Sequence, residues 1–399
     1  MSARTTLLAF GAFTVGTSGY IVAGVLPAVS AELHVSHATA GQLLTAFAIA
    51  YAVSSPVLAA LTGRWERRTL LVAALLVSAL GNAFAAIAPN YPLLLVARVI
   101  SAFGAAVFTP GATLVATVLS PPERRGRAVA LVFGGLTAAL IVGVPAGNLL
   151  GGTLGYRGVF ALIAVVSVLA AVAVRQWLPR VDAPPVVGLR ARFAPAADRR
   201  VLGVLGVTVL VCVAVFSVFN FIAPLLHATA GLDGAVVGGV LVAYGLGAAF
   251  GNWGAGVLAD RVDTRRLLVT LLSLFVVVLA TLPLTMTSVF TSAVVLFVWG
   301  ALTWSANPPI QSWLIRLAPA DAGLLLSLNA SAIYLGVGLS GVVGGVVISW
   351  VGLGPLAPIA AVLGVVALGL LLVALKPAQE PNALVVTSPA SGSLARQWK

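Results

Sequence analysis

A short turn between two long apolar runs carries charged residues that could form a switchable contact. It extends from Gly256 to Arg266 and contains Asp260, with Arg261 and Arg265 close behind. A carboxylate gains charge-assisted hydrogen bonds at the positive N-terminus of a neighbouring helix or beside an arginine there, and such bonds break when two helix bundles separate. We therefore predict that the turn forms a conformational latch through Asp260. The open alternative is a solvated basic turn.

A similar basic turn occurs about half a chain earlier, at residues 59–68. It contains Arg64, Arg67 and Arg68, ends in the same Arg-Arg pair and leads into a similar apolar run. A basic turn repeated at matching places in two hydrophobic halves indicates an internally duplicated membrane protein. The three arginines are candidates for a second copy of the latch.

The composition places the chain in a lipid bilayer. Of its 399 residues, 60% are hydrophobic and 8% are charged, and the mean hydropathy is +1.12. Soluble domains carry about 25% charged residues. Continuous apolar runs of about 20 residues match the bilayer core as helices and argue against the alternating strands of a membrane barrel. The runs predict an all-α polytopic membrane protein with twelve spans near 6–28, 40–61, 69–88, 92–119, 127–150, 157–178, 201–226, 235–258, 267–288, 290–313, 322–350 and 354–375.

Polar segments divide these spans into two bundles of six. Residues 1–178 form the predicted N-terminal bundle and residues 201–376 the predicted C-terminal bundle. The stretch 179–200 between them is rich in proline and arginine and suits a cytoplasmic linker. The polar tail at 377–399 is predicted to be disordered and cytoplasmic.

The net charge of +12 follows the predicted membrane topology. If the N-terminus is cytoplasmic, 20 of the 22 Lys and Arg residues are cytoplasmic, leaving Arg98 within a span and Arg157 outside. This asymmetry is typical of the positive-inside rule and predicts a multi-pass membrane protein with both termini cytoplasmic. No nucleic-acid partner is expected. The first 31 residues could alternatively be a signal peptide, but the topology requires them as the first span.

Arg98 is the charged residue most deeply placed in an apolar run. It lies six residues past Pro92, which puts it roughly 9 Å into its span at 1.5 Å per residue. A charge there costs about 3 kcal/mol or more unless it is paired or hydrated. We predict that Arg98 faces a central cavity and contacts substrate or couples its binding to proton movement. The alternative is an arginine that extends to the outer interface.

Several polar and aromatic side chains within the apolar runs could line such a cavity. Each of them could instead form an interhelical hydrogen bond. The candidates are Ser18, Tyr20, Asn148, Asn220, Tyr244, Asn307 and Asn329.

The basic turns resemble the signature loop of the major facilitator superfamily, G-x-x-x-D-R-x-G-R-R. The second copy matches at Gly256, Asp260, Arg261, Arg265 and Arg266. The first copy has Gly63 in place of the Asp and Glu66 in place of the inner Gly. The resemblance implies two pseudo-symmetric six-helix bundles around a midplane cavity that opens alternately to each side.

Gly143, Pro145 and Gly147 resemble the span-five motif of the drug:proton antiporter branch, G-x-x-x-G-P-x-x-G, and the first span resembles that branch as well. Small residues allow close helix approach, and a proline bends a helix, so the motif suits a hinge; ordinary close packing is the alternative. The resemblance implies export of a small, moderately apolar compound of the chloramphenicol type across the bacterial cytoplasmic (inner) membrane in exchange for protons. Efflux of a sugar or nucleoside, or weakly coupled facilitation, stays open.

The site of proton coupling is not evident from the sequence. Gly19 stands where members of this branch carry a membrane-embedded Glu, and all ten acidic residues fall in loops, in the tail or at span ends. Coupling is therefore predicted to use Asp233, Asp260, His227 or Arg98, and to be weaker than in those relatives.

The sequence contains none of the motifs typical of enzymes or metal sites that we searched for, namely HExxH, a P-loop, CxxC or a nucleophile elbow. We therefore expect neither an enzyme nor a cofactor or metal site. A receptor would need a signalling domain for which the chain has no room. The expected partners are a small-molecule substrate, protons and the lipid bilayer, and the expected state is a monomer.

Overall fold

The computed structural model describes residues 3–183, 197–232 and 234–375. The first half of the chain, residues 3–183, folds into five long helices. They are α1 (Ala3–Leu33), α2 (His37–Leu61), α3 (Arg67–Ile87), α4 (Tyr91–Val118) and α5 (Arg125–Trp177). A 3-10 turn at Pro122–Arg124 precedes α5.

The second half, residues 197–375, contains eight helices among its described residues. They are α6 (Arg199–Phe219), α7 (Ile222–Ala230), α8 (Gly234–Ala259), α9 (Thr264–Thr285), α10 (Val289–Ser305), α11 (Asn307–Leu317), α12 (Ala322–Val351) and α13 (Leu356–Ala374). A 3-10 turn at Pro319–Asp321 precedes α12.

Twelve segments of the described residues are long and apolar enough to cross a membrane, six in each half. This confirms the predicted all-α fold with twelve spans. Because successive spans cross the bundle in opposite directions, the turns at 62–66, 119–124, 260–263 and 318–321 lie at one end of the bundle. We call this the basic end. Most of the predicted linker (184–196) and the predicted disordered tail fall outside the described residues.

The largest difference from the predicted boundaries is in α5. The predicted gap between the fifth and sixth spans, residues 151–156, is helical except at Gly155, which has φ 64° and ψ 173°. Such a φ favours glycine. A Cβ on Gly155 would also lie 2.7 Å from the Glu32 carboxylate, which forms an ion pair with Arg157 at 3.7 Å. The reversal between the two spans is thus made in one tight turn against the end of α1.

Two predicted continuous spans are each interrupted in their C-terminal half. The seventh breaks at Asn220 and Phe221, between α6 and α7, and the tenth breaks at Ala306, between α10 and α11. In the second case the cause is local, because Pro308 and Pro309 lack the N–H that would continue the helix and instead occupy its first turn.

Candidate functional site

Arg98 is completely buried in α4 and is held by α1. Its Nη2 donates to the Ser18 carbonyl oxygen at 2.8 Å, and its Nη1 donates to the Ser18 hydroxyl at 3.4 Å. That hydroxyl in turn donates to Oδ1 of Asn82 in α3 at 3.0 Å, and the Asn82 amide donates to the Ser78 carbonyl at 2.7 Å. A chain of buried polar groups therefore connects three helices of the first half.

Two aromatic rings complete the environment of the Arg98 guanidinium. Its Cζ lies 4.7 Å from the ring centroid of Phe47 and 5.5 Å from that of Phe160. The described residues place no acidic side chain within 4 Å of it. The charge is thus stabilised by a carbonyl, a hydroxyl and ring faces. The Arg98 side chain has no exposed surface in this conformation, so it does not extend to the interface.

Phe47 also belongs to an aromatic contact between the two halves. Tyr51 of α2 stacks on Tyr334 of α12, with ring centroids 3.9 Å apart and an interplanar angle of 27°. The Phe47 ring lies 6.2 Å from Tyr334. One ring therefore covers Arg98 on one side and faces the second half on the other. We call Phe47, Tyr51 and Tyr334 the aromatic clasp.

A second aromatic group lies within the second half, around Tyr244 of α8. Its ring is 4.9 Å from Phe219 and 5.0 Å from Trp299, and the side chains of Tyr244 and Trp299 are buried. The Tyr244 hydroxyl faces Thr303 and Trp304 but forms no hydrogen bond of ordinary geometry with either. This group thus combines apolar ring surface with buried polar atoms.

At the basic end, Asp260 contacts the opposite half. Its carboxylate accepts the backbone N–H of Gly126 at 2.7 Å and that of Arg127 at 3.3 Å, and it lies 3.8 Å from the Arg127 Nε. The Asp260 side chain is only 6% exposed. The carboxylate thus caps the first turn of α5, where unpaired N–H groups and the helix dipole favour negative charge.

The helices α5 and α8 approach closely beside this contact because both carry glycine there. A Cβ on Gly126 would lie 2.6 Å from the Gly256 carbonyl oxygen, and a Cβ on Gly256 would lie 2.3 Å from the Ala130 Cβ. One helical turn further from the basic end, the Asn252 amide donates to the Ala130 carbonyl at 2.6 Å. Asp260, Gly256 and Asn252 therefore form one continuous seam with the first half.

Comparison with known proteins identifies the family. The family described as the Major Facilitator Superfamily matches residues 8–322 and 205–397. The chain belongs to the major facilitator superfamily. It is also 34% identical over 382 residues to the inner membrane transport protein YdhP of Escherichia coli (strain K12), an alignment that covers 96% of this chain and 97% of the relative.

Two further similarities concern a resistance protein and a solved structure. A chloramphenicol resistance protein of Streptomyces lividans is 37% identical over 259 residues, covering 64% of this chain and 66% of that protein. The E. coli fucose:proton symporter superposes with a TM-score of 0.76 at 17% identity, covering 94% of this chain and 98% of that one. The second similarity shows the fold alone. This chain is therefore a multi-pass membrane transporter with the fold of the superfamily.

In this member of the superfamily the first basic turn contacts its own half. The Glu66 carboxylate accepts the N–H groups of Arg68 and Thr69, each at 2.9 Å, the Thr69 hydroxyl at 2.6 Å and the Val181 N–H at 3.1 Å. Arg67 N–H donates back to the Val181 carbonyl at 2.9 Å. The turn thus caps α3 and fixes the chain that leaves α5.

These hydrogen bonds set the charge state of Glu66. Partial burial alone raises the pKa of this carboxyl, but the bonds from Thr69, Val181 and Arg68 outweigh burial and lower the pKa from 4.5 to about 2.

Arg68 contributes a further bond to the same contact, from Nη1 to the Leu178 carbonyl at 3.2 Å. Arg64 is exposed, and Arg67 is buried with its Nη2 3.4 Å from the Gly63 carbonyl.

The remaining arginines of the transporter's second basic turn line an open groove at the basic end. Arg261, Arg265 and Arg266 face it together with Arg200 and Arg316. The described residues show no ion pair within 4 Å for any of the five. Of the predicted latch residues, the structure therefore brings Gly256 and Asp260 to the opposite half and leaves the three arginines beside them in the groove.

Gly143 and Gly147 of the predicted span-five motif pack against α1. A Cβ on Gly147 would lie 2.6 Å from the Ile21 carbonyl, and one on Gly143 would lie 3.6 Å from the Tyr20 Cβ. The helix continues through both positions without a break. The side chains of Pro145 and Asn148 lie outside the described residues.

Two of the polar candidates form hydrogen bonds between helices of the second half. Asn220 donates to the Ser340 hydroxyl at 3.2 Å, and buried Asn329 accepts from the Thr208 hydroxyl at 2.9 Å. Asn307 is the first residue of α11. Tyr20 is half-buried at the α1 surface that faces α5.

The sequence interpretation missed Asn82, Asn252 and the ring of Phe47. Asn82 and Asn252 each stand alone among apolar residues, which is the same signal that drew attention to Asn148. Phe47 gave no such signal, because an aromatic residue in an apolar span is ordinary. The described residues contain no group of three or more His, Cys, Asp or Glu that could hold a metal ion.

Proposed function

We propose that this transporter exports a small, moderately apolar compound of the chloramphenicol type by alternating access. The observation that supports the substrate class most directly is the 37% identity to a chloramphenicol resistance protein over 259 residues. The chemistry of the bundle interior agrees with it. The described spans offer aromatic rings, hydroxyls and the fully buried guanidinium of Arg98, and their acidic residues all lie at helix ends or in turns. A neutral compound with an aromatic ring and polar substituents suits such a surface better than a cation does.

The proposed cycle opens and closes the basic end. Asp260 and the glycines of α5 and α8 hold the halves together there in this conformation, and the aromatic clasp joins the halves further into the bundle. Opening that end must break these contacts and uncover Phe47, which shields Arg98. Arg98 would then reach substrate in the opened state, as a contact or as a coupling group. By the positive-inside rule the basic end is cytoplasmic, with both termini on the same side.

We further propose that proton coupling is weak. Gly19 provides no acid in α1, and the boundary groups Asp260 and His227 are the titratable candidates among the described residues. Asp233 lies outside them. A carboxylate engaged in a latch changes its environment when the latch opens, which is the requirement for coupling at a boundary group.

An efflux-deficient bacterial host tests this proposal. The chain should raise resistance to chloramphenicol-type antibiotics and lower their accumulation, whereas sugars and nucleosides should accumulate normally. Arg98→Lys, at equal amounts in the membrane, should abolish most of the resistance because lysine loses the planar group that stacks on Phe47 and Phe160. Resistance to none of these antibiotics, together with altered accumulation of a sugar or nucleoside, would replace the proposed substrate.

A further inference from the structure

Beside the latch, the two halves enclose a cavity of about 160 Å³ at the basic end. Its lining includes Arg125 at the start of α5, Asp260 at the end of α8, and Ser312 and Arg316 of α11. About 10–15 Å³ of such space holds one water molecule, so the cavity can hold a small polyatomic ion. It is separate from Arg98 and the aromatic clasp.

The Ser312 hydroxyl is the first indication of a ligand. The residue is 6% exposed, and its Oγ has no hydrogen-bond partner within the described part of the chain. A serine inside a helix ordinarily donates to a carbonyl three or four residues earlier, as Ser217 does to Val213 at 2.6 Å. Ser312 does not, and it lines the cavity instead. A buried hydroxyl without a partner is unfavourable, and a ligand oxygen would satisfy it.

The charges around the cavity select an anion. Arg125 belongs to the first half and Arg316 to the second, and the described residues place no acidic side chain within 4 Å of either. The Asp260 carboxylate is already engaged by two backbone N–H groups and by Arg127. Both arginines are exposed, and Arg316 Nη2 donates to the Thr264 hydroxyl. The basic end thus places two arginines that form no ion pair at the lining of one cavity, where an anion would bridge them.

An entry path for an anion adjoins the cavity. Arg316 and Asp260 line both the cavity and the open groove, whose volume is about 930 Å³. The other arginines of the groove, at positions 200, 261, 265 and 266, give it a positive field that would concentrate anions at the mouth.

We propose that this cavity binds an oxyanion of the phosphate class, supplied by the headgroup of an acidic lipid or by free phosphate. The anion bridges Arg125 and Arg316, accepts a hydrogen bond from Ser312 and holds the basic end closed. Phosphate oxygens suit such a site because they accept several charge-assisted bonds at once. The site regulates the transport cycle from outside the substrate pathway, whichever compound is carried.

Hydrogen exchange of the full-length protein in neutral phosphatidylcholine nanodiscs tests the site. One arm adds inorganic phosphate, with chloride at equal ionic strength as the reference, and a second arm replaces part of the lipid by phosphatidylglycerol. Phosphate or the acidic lipid should slow exchange of the backbone amides at 122–130 and 256–262 in a saturable way. Ser312→Ala and Arg316→Gln should each weaken this effect roughly tenfold, the factor expected for one charge-assisted hydrogen bond. Arg124→Gln, an exposed neighbour outside the cavity, should leave it unchanged.

The outcomes separate the two sources and can overturn the proposal. Protection by phosphate alone identifies a free anion, and protection only by phosphatidylglycerol identifies a lipid headgroup; both support the site. No protection in either arm, or equal protection in wild type and in both variants, overturns it. Arg125→Gln, at an exposed position, repeats the test if a buried variant fails to fold by gel filtration. Because no substrate is present, the result is independent of the proposed function.

Discussion

The Asp260 carboxylate of the second half accepts the Gly126 N–H of the first half at 2.7 Å. One side chain thereby caps the first turn of a helix that belongs to the other half. Beside this contact the backbones of Gly126 and Gly256 lie so close that a Cβ on Gly126 would be 2.6 Å from the Gly256 carbonyl oxygen. Any movement that separates the halves here must expose both the carboxylate and the N–H groups of that turn. This geometry is the one expected of a contact that the proposed alternating-access cycle would break.

Asp260→Asn is expected to impair transport and to open the basic end more often. The amide keeps one acceptor oxygen but loses the charge, and a charge-assisted bond is worth about 1.5–3 kcal/mol, or roughly a tenfold or greater shift in the closed-to-open ratio. Transport and labelling of introduced cysteines at the basic end, at equal amounts of protein, measure the effect. Asp263→Asn is the matched control, because Asp263 caps Arg266 within its own half at 2.9 Å. Equal transport by the two variants would remove the latch.

Gly256→Ala is expected to hold the basic end apart. The added Cβ would lie 2.3 Å from the Ala130 Cβ, so α5 and α8 must separate to accommodate it. Overpacking of this kind costs about 1–3 kcal/mol. Gly254→Ala is the control on the same helix, since a Cβ there meets nothing within 4 Å. Cysteine accessibility at the basic end should rise for Gly256→Ala only, and a rise of similar size in both variants would show that the seam is not responsible.

Glu66→Gln is expected to loosen the segment that follows α5. It should also impair transport less than Asp260→Asn does. The carboxylate accepts the Val181 N–H, which belongs to the peptide bond after Arg180. Weakening this bond should speed trypsin cleavage between Arg180 and Val181 by roughly tenfold, as expected for loss of one charge-assisted bond. Mass spectrometry of the fragments measures the rate, with Glu123→Gln as the exposed control. An unchanged rate would show that Glu66 does not hold this segment.

The contribution of Glu66 to stability should depend on pH in an acidic window. Its pKa in the folded protein is about 2, below the ordinary 4.5, so its stabilisation is complete above pH 4.5 and is lost as pH falls towards 2. The difference in unfolding temperature between wild type and Glu66→Gln should therefore be constant from pH 7 to pH 4.5 and shrink below that. A difference that vanishes already near pH 6 would contradict the assignment.

The sequence was enough to predict the twelve spans and the class of contact made by Asp260. The spans are readable because a bilayer core requires about 20 apolar residues per helix. For Asp260, the sequence limited the partner to a helix N-terminus or an arginine. Both are found: the start of α5 at Gly126 lies 134 residues earlier in the chain, and the Arg127 side chain lies 133 residues earlier. The identity of the helix that Asp260 contacts depends on how the two bundles pack, and a single sequence does not contain that information.

Two features could not be predicted for different reasons. The turn at Glu66 has the same arginines as its counterpart, but Gly63 supplies no carboxylate, so its contacts turn towards Val181 within the same half. The cover over Arg98 depends on Phe47, one of many aromatic residues in the spans. Its significance arises only from being placed between a buried charge and the stack of Tyr51 on Tyr334.

The coupling proposal makes a prediction at Gly19 of α1. The position adjoins Ser18, whose carbonyl accepts from Arg98, and a Cβ on Gly19 would meet the Phe47 ring at an ordinary 3.4 Å. The first carbon of a side chain is therefore accommodated beside the ring that covers the guanidinium. Gly19→Glu would place a carboxyl where it can pair with Arg98 when substrate is absent and take up or release a proton when substrate displaces that pairing.

Proton release on substrate binding to purified protein between pH 5 and 9 measures the difference. Wild type should release few protons, because its described acidic groups lie at helix ends and in turns, where they stay hydrated or hydrogen-bonded. Gly19→Glu should gain a pH-dependent release, and Gly19→Gln, which has nearly the same size and no titratable group, should not. Near-stoichiometric release from wild type around pH 7 would contradict weak coupling, since it would require a buried acid that the described spans do not contain.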